Sequence, residues 1–180
     1  MKQRGPIVIT GFMGCGKSRV ARALALRRGV VMVDLDEWIT RHVGRSPAQL
    51  INEDGERAFR AIETTALREL LESGDAGVIA LSGGAWIEEA NRELIDQFGC
   101  TSIWLDTPFE ICWQRISASE EDRPLGRSRA EAEARYNLRK PIYALAQLHI
   151  PATPTNDDLI LTIEKCLTTD YTEENPDLSV

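Results

Sequence analysis

The chain has 180 residues, enough for one domain with a continuous core and too few for two full-sized enzymatic domains. Its formal net charge of −7 and pI near 5.0 argue against nonspecific nucleic-acid or anionic-membrane binding, both of which reward a basic surface. The four cysteines, Cys15, Cys100, Cys112 and Cys166, show neither a CxxC pair nor zinc spacing, no apolar stretch reaches membrane length, and the N-terminus runs at once into a strand pattern, so a soluble, cytoplasmic, monomeric protein with free thiols is expected.

Short apolar runs at 7–10, 30–33, 77–81, 101–105 and 148–150 alternate with longer helical patterns, the signature of an α/β layer with a mostly parallel sheet. The first run, Ile7-Val8-Ile9-Thr10, leads into Gly11-Phe12-Met13-Gly14-Cys15-Gly16-Lys17-Ser18 and then a run of good helix formers. Strand, Gly-rich loop and helix in that order form a P-loop, whose backbone N–H groups turn toward a phosphate. Lys17 is expected to reach the β- and γ-phosphates and the Ser18 hydroxyl to help hold Mg²⁺.

The second strand ends in Asp34-Leu35-Asp36. Alternation along an extended chain puts both carboxylates on one side, where one can serve a metal shell and the other accept a proton from a substrate hydroxyl, with helix capping by Asp36 as a compatible role. Two helical pieces follow, 36–43 and 47–71, the latter broken near Gly55 and carrying Phe59, Ile62, Ala66 and Leu70 on one stripe. That much helix before the chain returns to the sheet indicates a small substrate-binding subdomain. Arg60 and Glu63, three apart, share a face, so the carboxylate can hold the guanidinium in one orientation, although exposed pairs of this kind contribute little. The polar segment 117–129 is a candidate lid, and 168–180 reads as an acidic, frayed tail after a domain ending near 167.

Two imitations of other nucleotide proteins fail on context. Leu81-Ser82-Gly83-Gly84 mimics a transporter ATPase signature but follows an apolar strand, and Thr107 stands where that family needs a glutamate; no Asn-Lys-x-Asp guanine reader is found.

Taken together, GFMGCGKS, Asp34-Leu35-Asp36, Gly55-Glu56-Arg57-Ala58-Phe59-Arg60-Ala61-Ile62-Glu63, Gly83-Gly84-Ala85, Asp122-Arg123-Pro124-Leu125 and Arg139-Lys140-Pro141-Ile142-Tyr143 resemble shikimate kinase over roughly residues 5–160. The resemblance implies transfer of a phosphoryl group from MgATP to the 3-hydroxyl of shikimate. It also implies a nucleoside-monophosphate-kinase-like, three-layer α/β/α P-loop fold with a central five-stranded parallel sheet. The nucleotide falls to Gly11, Gly14, Cys15, Gly16, Lys17, Ser18 and Arg19, with Arg115 and Pro154 around the adenine and Arg123 of the lid closing on the transferring phosphate, Arg127 standing by. By the same resemblance Asp36 is expected to bind the ring hydroxyls and act as base, and Asp34 to sit in the outer magnesium shell. Arg60, held by Glu63, and Arg139 grip the substrate carboxylate, Phe59 packs on the ring, and the Gly83 and Gly84 backbone lines the pocket (substrate region about 34–63). Physical chemistry agrees, since a buried carboxylate without cationic partners costs several kcal/mol, and a cation delivered to the transferring phosphoryl group is worth about 10³ to 10⁵ in rate.

Two departures stand out. Ser82 occupies a position where the family usually has glycine, and the adenine loop at 150–155 carries no arginine. The residues leave open a kinase of another small polyol acid, such as quinate or gluconate, or a catalytically weak nucleotide-binding regulator.

Overall fold

The computed structural model describes residues 5–119, 125, 128–152 and 159–173, the last five of these by their backbone. In chain order the elements are β1 (Ile7–Thr10), α1 (Lys17–Arg28), β2 (Met32–Asp34), α2 (Leu35–Val43), α3 (Pro47–Asp54), α4 (Glu56–Ser73), β3 (Val78–Ala80), a 3-10 turn (Ala85–Ile87), α5 (Glu89–Gln97), β4 (Thr101–Asp106), α6 (Phe109–Ser117), α7 (Arg129–Tyr143), β5 (Leu148–Pro151) and α8 (Leu159–Glu173).

The five strands form one sheet in the order β2-β3-β1-β4-β5, every pairing parallel. β1 lies at the centre, with Ile7 beside Val78 on one flank and beside Thr101 on the other. Successive side chains of a strand point to opposite faces, yet all of Ile7–Thr10 is buried, so helices cover both faces, as parallel sheets require. This is the expected α/β architecture. The order reverses direction around β1 and β3, and the cleft described below opens at their carboxyl ends, where open α/β sheets bind ligands.

Local signals explain the helix boundaries near that cleft. Ser46 caps α3 in a capping box with Gln49, and Pro47 sits in the first turn. α3 and α4 are separated at Gly55, as the sequence pattern predicts. On α4 the buried face runs through Phe59, Glu63, Ala66, Leu67, Leu70 and Leu71. The stripe is thus rotated from the expected one: Glu63 takes an inward position, and Ile62 is half-buried at its edge.

Two expectations are corrected. The chain does not stay extended through Asp34-Leu35-Asp36. It enters α2 at Leu35, and the cap is Asp34, whose Oδ1 accepts the backbone N–H groups of Asp36 (3.0 Å) and Glu37 (3.4 Å). Strand alternation therefore cannot be what brings the two carboxylates together. The region from 168 is likewise not frayed from its start, because α8 continues to Glu173; residues 174–180 lie outside the described residues. The lid expected at 117–129 falls mostly outside them as well, including Arg123 and Arg127. No helix among the described residues is long and apolar enough to cross a membrane, and the four cysteines are free thiols.

Candidate active site

A cleft of about 820 Å³ opens at the carboxyl ends of β1, β2 and β3. Its first wall is the P-loop. Gly11, Gly14 and Gly16 adopt φ values of 142°, 75° and 103°, a backbone path that residues with a Cβ rarely adopt and one suited to turning successive N–H groups toward an anion. α1 begins at Lys17 without a side-chain cap, so its leading N–H groups and dipole remain available to a phosphate. Gly14, Gly16, Lys17, Ser18 and Arg19 line the cleft, whereas Gly11 and Cys15 stand behind it. At Gly11 an added Cβ would lie 2.9 Å from Cys15 Sγ and from the Leu105 carbonyl, so its contribution is the shape of the loop.

Lys17 Nζ donates to the carbonyls of Gly11 (3.1 Å) and Phe12 (3.2 Å), folding the ammonium over the loop with an N–H to spare for a phosphate oxygen. The Ser18 hydroxyl donates to Asp34 Oδ2 at 2.5 Å. Asp34 thus uses one oxygen for the α2 cap and turns the other to Ser18. Arg115 also lines the cleft, but its Nη1 donates to the Gly14 and Cys15 carbonyls at 3.0 and 3.1 Å. In this structure it braces the P-loop. Its expected adenine partner, Pro154, lies outside the described residues, as does Arg123.

The second wall comes from α2, α4, α7 and the exit of β3, with α3 opposite through Pro47, Gln49 and Asn52. Asp36, in the first turn of α2, points its carboxylate to the Ser82 hydroxyl, which donates to Oδ1 at 2.5 Å. Burial pushes the Asp36 pKa up from the usual carboxylate value. Ser82 opposes that, Asp34 adds to it, and Lys17 and Arg60 work against it.

Arg60 and Glu63 are no surface pair. Glu63 is fully buried, and both its oxygens lie 2.8 Å from Arg60 Nη1, while Arg60 Nη2 donates to Glu56 at 3.0 Å. Burial raises the Glu63 pKa against the pull of Arg60; burial works to lower that of Arg60, but Glu63 and Glu56 outweigh it and the guanidinium is held above its ordinary value. The guanidinium lies flat against Gly84, where a Cβ would come within 2.3 Å of Nη2. Only glycine leaves that room.

Arg139, 6% exposed, shares one face of α7 with Tyr136 and Tyr143 through spacings of three and four. Arg139 Nη1 (3.2 Å) and the Tyr143 hydroxyl (2.5 Å) both donate to the Gly83 carbonyl, anchoring the β3 exit to α7. Burial lowers the Arg139 pKa; Tyr143 opposes this, and Arg60 and Arg135 reinforce it. Among the described residues the carboxylate paired with it is that of Glu56, at 3.7 Å. Two buried guanidiniums sharing one pocket favour an anion between them and the cleft, since a bound carboxylate relieves their mutual repulsion and accepts their N–H groups. Phe59, Gly83 and Gly84 complete this wall.

Of the residues expected from sequence, Gly14, Gly16, Lys17, Ser18, Arg19, Asp34, Asp36, Phe59, Arg60, Gly83, Gly84, Arg115 and Arg139 line one cleft, while Gly11 and Cys15 stand behind the loop, Glu63 is buried behind Arg60, and Arg123 and Pro154 lie outside the described residues. Sequence reasoning missed the bond from Ser82 to Asp36, the bracing of the arginines by Glu56, and the Tyr143 tie to Gly83. The periodicity of α4 carried a usable signal, because Glu63 follows Phe59 by four and precedes Leu67 by four, on the apolar stripe.

The family model described as shikimate kinase matches residues 13–168. The shikimate kinase of Ruegeria pomeroyi is 39% identical over 145 residues, which is 79% of this chain and 73% of that protein. That of Streptococcus thermophilus is 34% identical over 164 residues, covering 89% of this chain and 98% of the relative. Among solved structures, the shikimate kinase of Acinetobacter baumannii in complex with shikimate matches with a TM-score of 0.85 at 31% identity, covering 94% of this chain and 96% of that one. A sequence match spanning nearly the whole domain, on the same fold, has one conclusion: the chain belongs to the shikimate kinase family.

Proposed function

We propose that the protein transfers the γ-phosphoryl group of ATP to the 3-hydroxyl of shikimate, giving shikimate 3-phosphate and ADP. The observation that carries this reading is the shared lining of one cleft by Lys17 and Ser18 of the P-loop, the buried carboxylate Asp36, and the buried arginines Arg60 and Arg139. A phosphate donor, an acceptor hydroxyl and an acceptor carboxylate each have a partner there.

The P-loop N–H groups and Lys17 bind and orient the phosphates of the nucleotide, concentrating positive charge where negative charge spreads in the transition state. Arg60 and Arg139 take the shikimate carboxylate, which fixes the ring against Phe59 and turns a hydroxyl toward Asp36. Asp36 accepts the proton from that hydroxyl as its oxygen bonds to the γ-phosphorus and the bond to the β-phosphate oxygen breaks, with ADP leaving. A base raised above the ordinary carboxylate range by burial is better matched to an alcohol proton at neutral pH than an exposed aspartate.

Magnesium suits the Ser18 and Asp34 pair, an all-oxygen donor set with one carboxylate, since this ion keeps several waters and takes few protein ligands. Bound there with the nucleotide, it would supply positive charge to offset the negative charge of the phosphates. The closing cation assigned to Arg123 rests on the family resemblance. The reading also has a monomeric cytoplasmic enzyme acting on small molecules, without nucleic acid or membrane, in line with its net charge of −7.

The test is coupled ADP release over a panel of shikimate, quinate, gluconate and nucleoside monophosphates. Shikimate should give the highest kcat/KM by at least tenfold. Preference for any other member of the panel refutes the substrate assignment.

A further inference from the structure

Ser82 is 4% exposed and lines the cleft just beyond β3. Among the described residues it is the hydroxyl donor that reaches the Asp36 carboxylate, at 2.5 Å from Oδ1. The same hydroxyl faces Glu63, but both Glu63 oxygens already lie 2.8 Å from Arg60 Nη1. A serine has one O–H to give, and Asp36 receives it.

Ser82 is held far more firmly than the carboxylate it serves. The preceding N–H, of Leu81, donates to the Ile9 carbonyl of the central strand (3.0 Å), and the Ser82 carbonyl accepts from Ala85 (3.2 Å). The carbonyl of the next residue, Gly83, receives Arg139 and Tyr143. The donor is therefore fixed to the sheet and to the element that carries one of the arginines. Asp36 sits on α2, a separate element, and its side chain can turn about two bonds. Engaging Oδ1 restrains that rotation and leaves Oδ2 outside the Ser82 bond, on a residue that lines the cleft.

We propose that Ser82 is a positioning residue, which orients the Asp36 carboxylate relative to the Arg60–Arg139 pair so that a substrate held by its carboxylate meets a correctly aimed base. This rests on the assignment of Asp36 as base. A site held this way gains in the reacting geometry more than in binding, because misdirection of the base costs the transition state and leaves most ground-state contacts in place.

The test is steady-state kinetics on Ser82→Ala, with Ser82→Thr as the conservative variant, Ser82→Gly as a second removal of the hydroxyl, and Asp36→Asn alongside. Circular dichroism melts establish that each is folded. Losing one hydrogen bond to a charged group should lower kcat about tenfold or more, with KM for ATP within twofold of wild type. Ser82→Thr should recover most of the loss, and Ser82→Gly should behave like Ser82→Ala. A folded Ser82→Ala or Ser82→Gly enzyme with wild-type kcat overturns the proposal, and so does a Ser82→Thr enzyme as slow as Ser82→Ala, because packing rather than the hydroxyl is then responsible. An Asp36→Asn enzyme that keeps its kcat overturns the base assignment instead, whatever the Ser82 variants do.

Discussion

Replacing Arg60 by lysine preserves the charge and removes the planar fork, which makes it a sharp probe of how the substrate carboxylate is bound. The guanidinium serves two carboxylates at once, Glu63 through Nη1 at 2.8 Å and Glu56 through Nη2 at 3.0 Å, while lying against the backbone of Gly84. A lysine ammonium is a single point on a flexible stem. If it stays with the buried Glu63, it can neither span to Glu56 nor present a second N–H edge to a ligand. The loss is at least one hydrogen bond between charged groups, about 1.5–3 kcal/mol, hence about 10- to 150-fold in kcat/KM for shikimate. With ATP assigned to the P-loop wall, its KM should change less than about threefold. The assay is coupled ADP release with each substrate varied at saturating levels of the other, well below the melting temperature. An unchanged KM for shikimate with a raised KM for ATP would move Arg60 out of the acceptor site and refute the reasoning.

Other substitutions separate the remaining roles. Lys17→Met removes the charge aimed at the phosphates but only two half-buried carbonyl contacts, so turnover should fall by about 10² to 10³ or more with the fold intact; undiminished turnover in the folded variant contradicts a P-loop kinase. Asp36→Asn should lower kcat by about 10² to 10⁴ without lowering Tm. Because burial raises the Asp36 pKa in the folded state, its stabilising contribution is complete below the unfolded-state value and is lost as pH rises through the folded-state value. The Tm of the wild type relative to the variant should therefore fall as pH is raised from below the unfolded-state value of about 4 toward neutrality, and a gap that moves the other way counts against burial raising that pKa. Asp34→Asn keeps a good helix cap through its side-chain oxygen but replaces the carboxylate oxygen at Ser18. The magnesium concentration for half-maximal rate should rise, with part of the rate restored at high magnesium; if metal rescues Asp36→Asn instead, the two roles are reversed.

Much of this was legible in the sequence because it rests on short-range chemistry. Strand, P-loop and helix follow from adjacent residues, and the break at Gly55 from one glycine within a helical pattern. The two aspartates show where such reading fails. A period-two argument holds only while the chain stays extended, and Asp34 ends that by capping α2; the Asp-x-x-Glu spacing of Asp34 and Glu37 is a helix-start signal that competes with it. Glu63 was misleading for another reason. A charged pair three apart resembles surface decoration until the opposite face of α4 is known to be solvent, and only tertiary packing settles which face turns inward. Ser82 and Asp36 are separated by 46 residues, so their bond exists only once β2 and β3 pair, with Asp34 beside Ala80. The continuation of α8 past 167 had no apolar periodicity to announce it.

The proposed reaction places the phosphoryl group on the 3-hydroxyl of shikimate, and NMR of the reaction mixture follows that transfer. With ATP, magnesium and shikimate, one new phosphomonoester ³¹P resonance is expected, coupled to the proton on C3 of the ring and formed one-for-one with ADP. ADP accompanied only by inorganic phosphate, or a phosphoester on another ring hydroxyl, would contradict it.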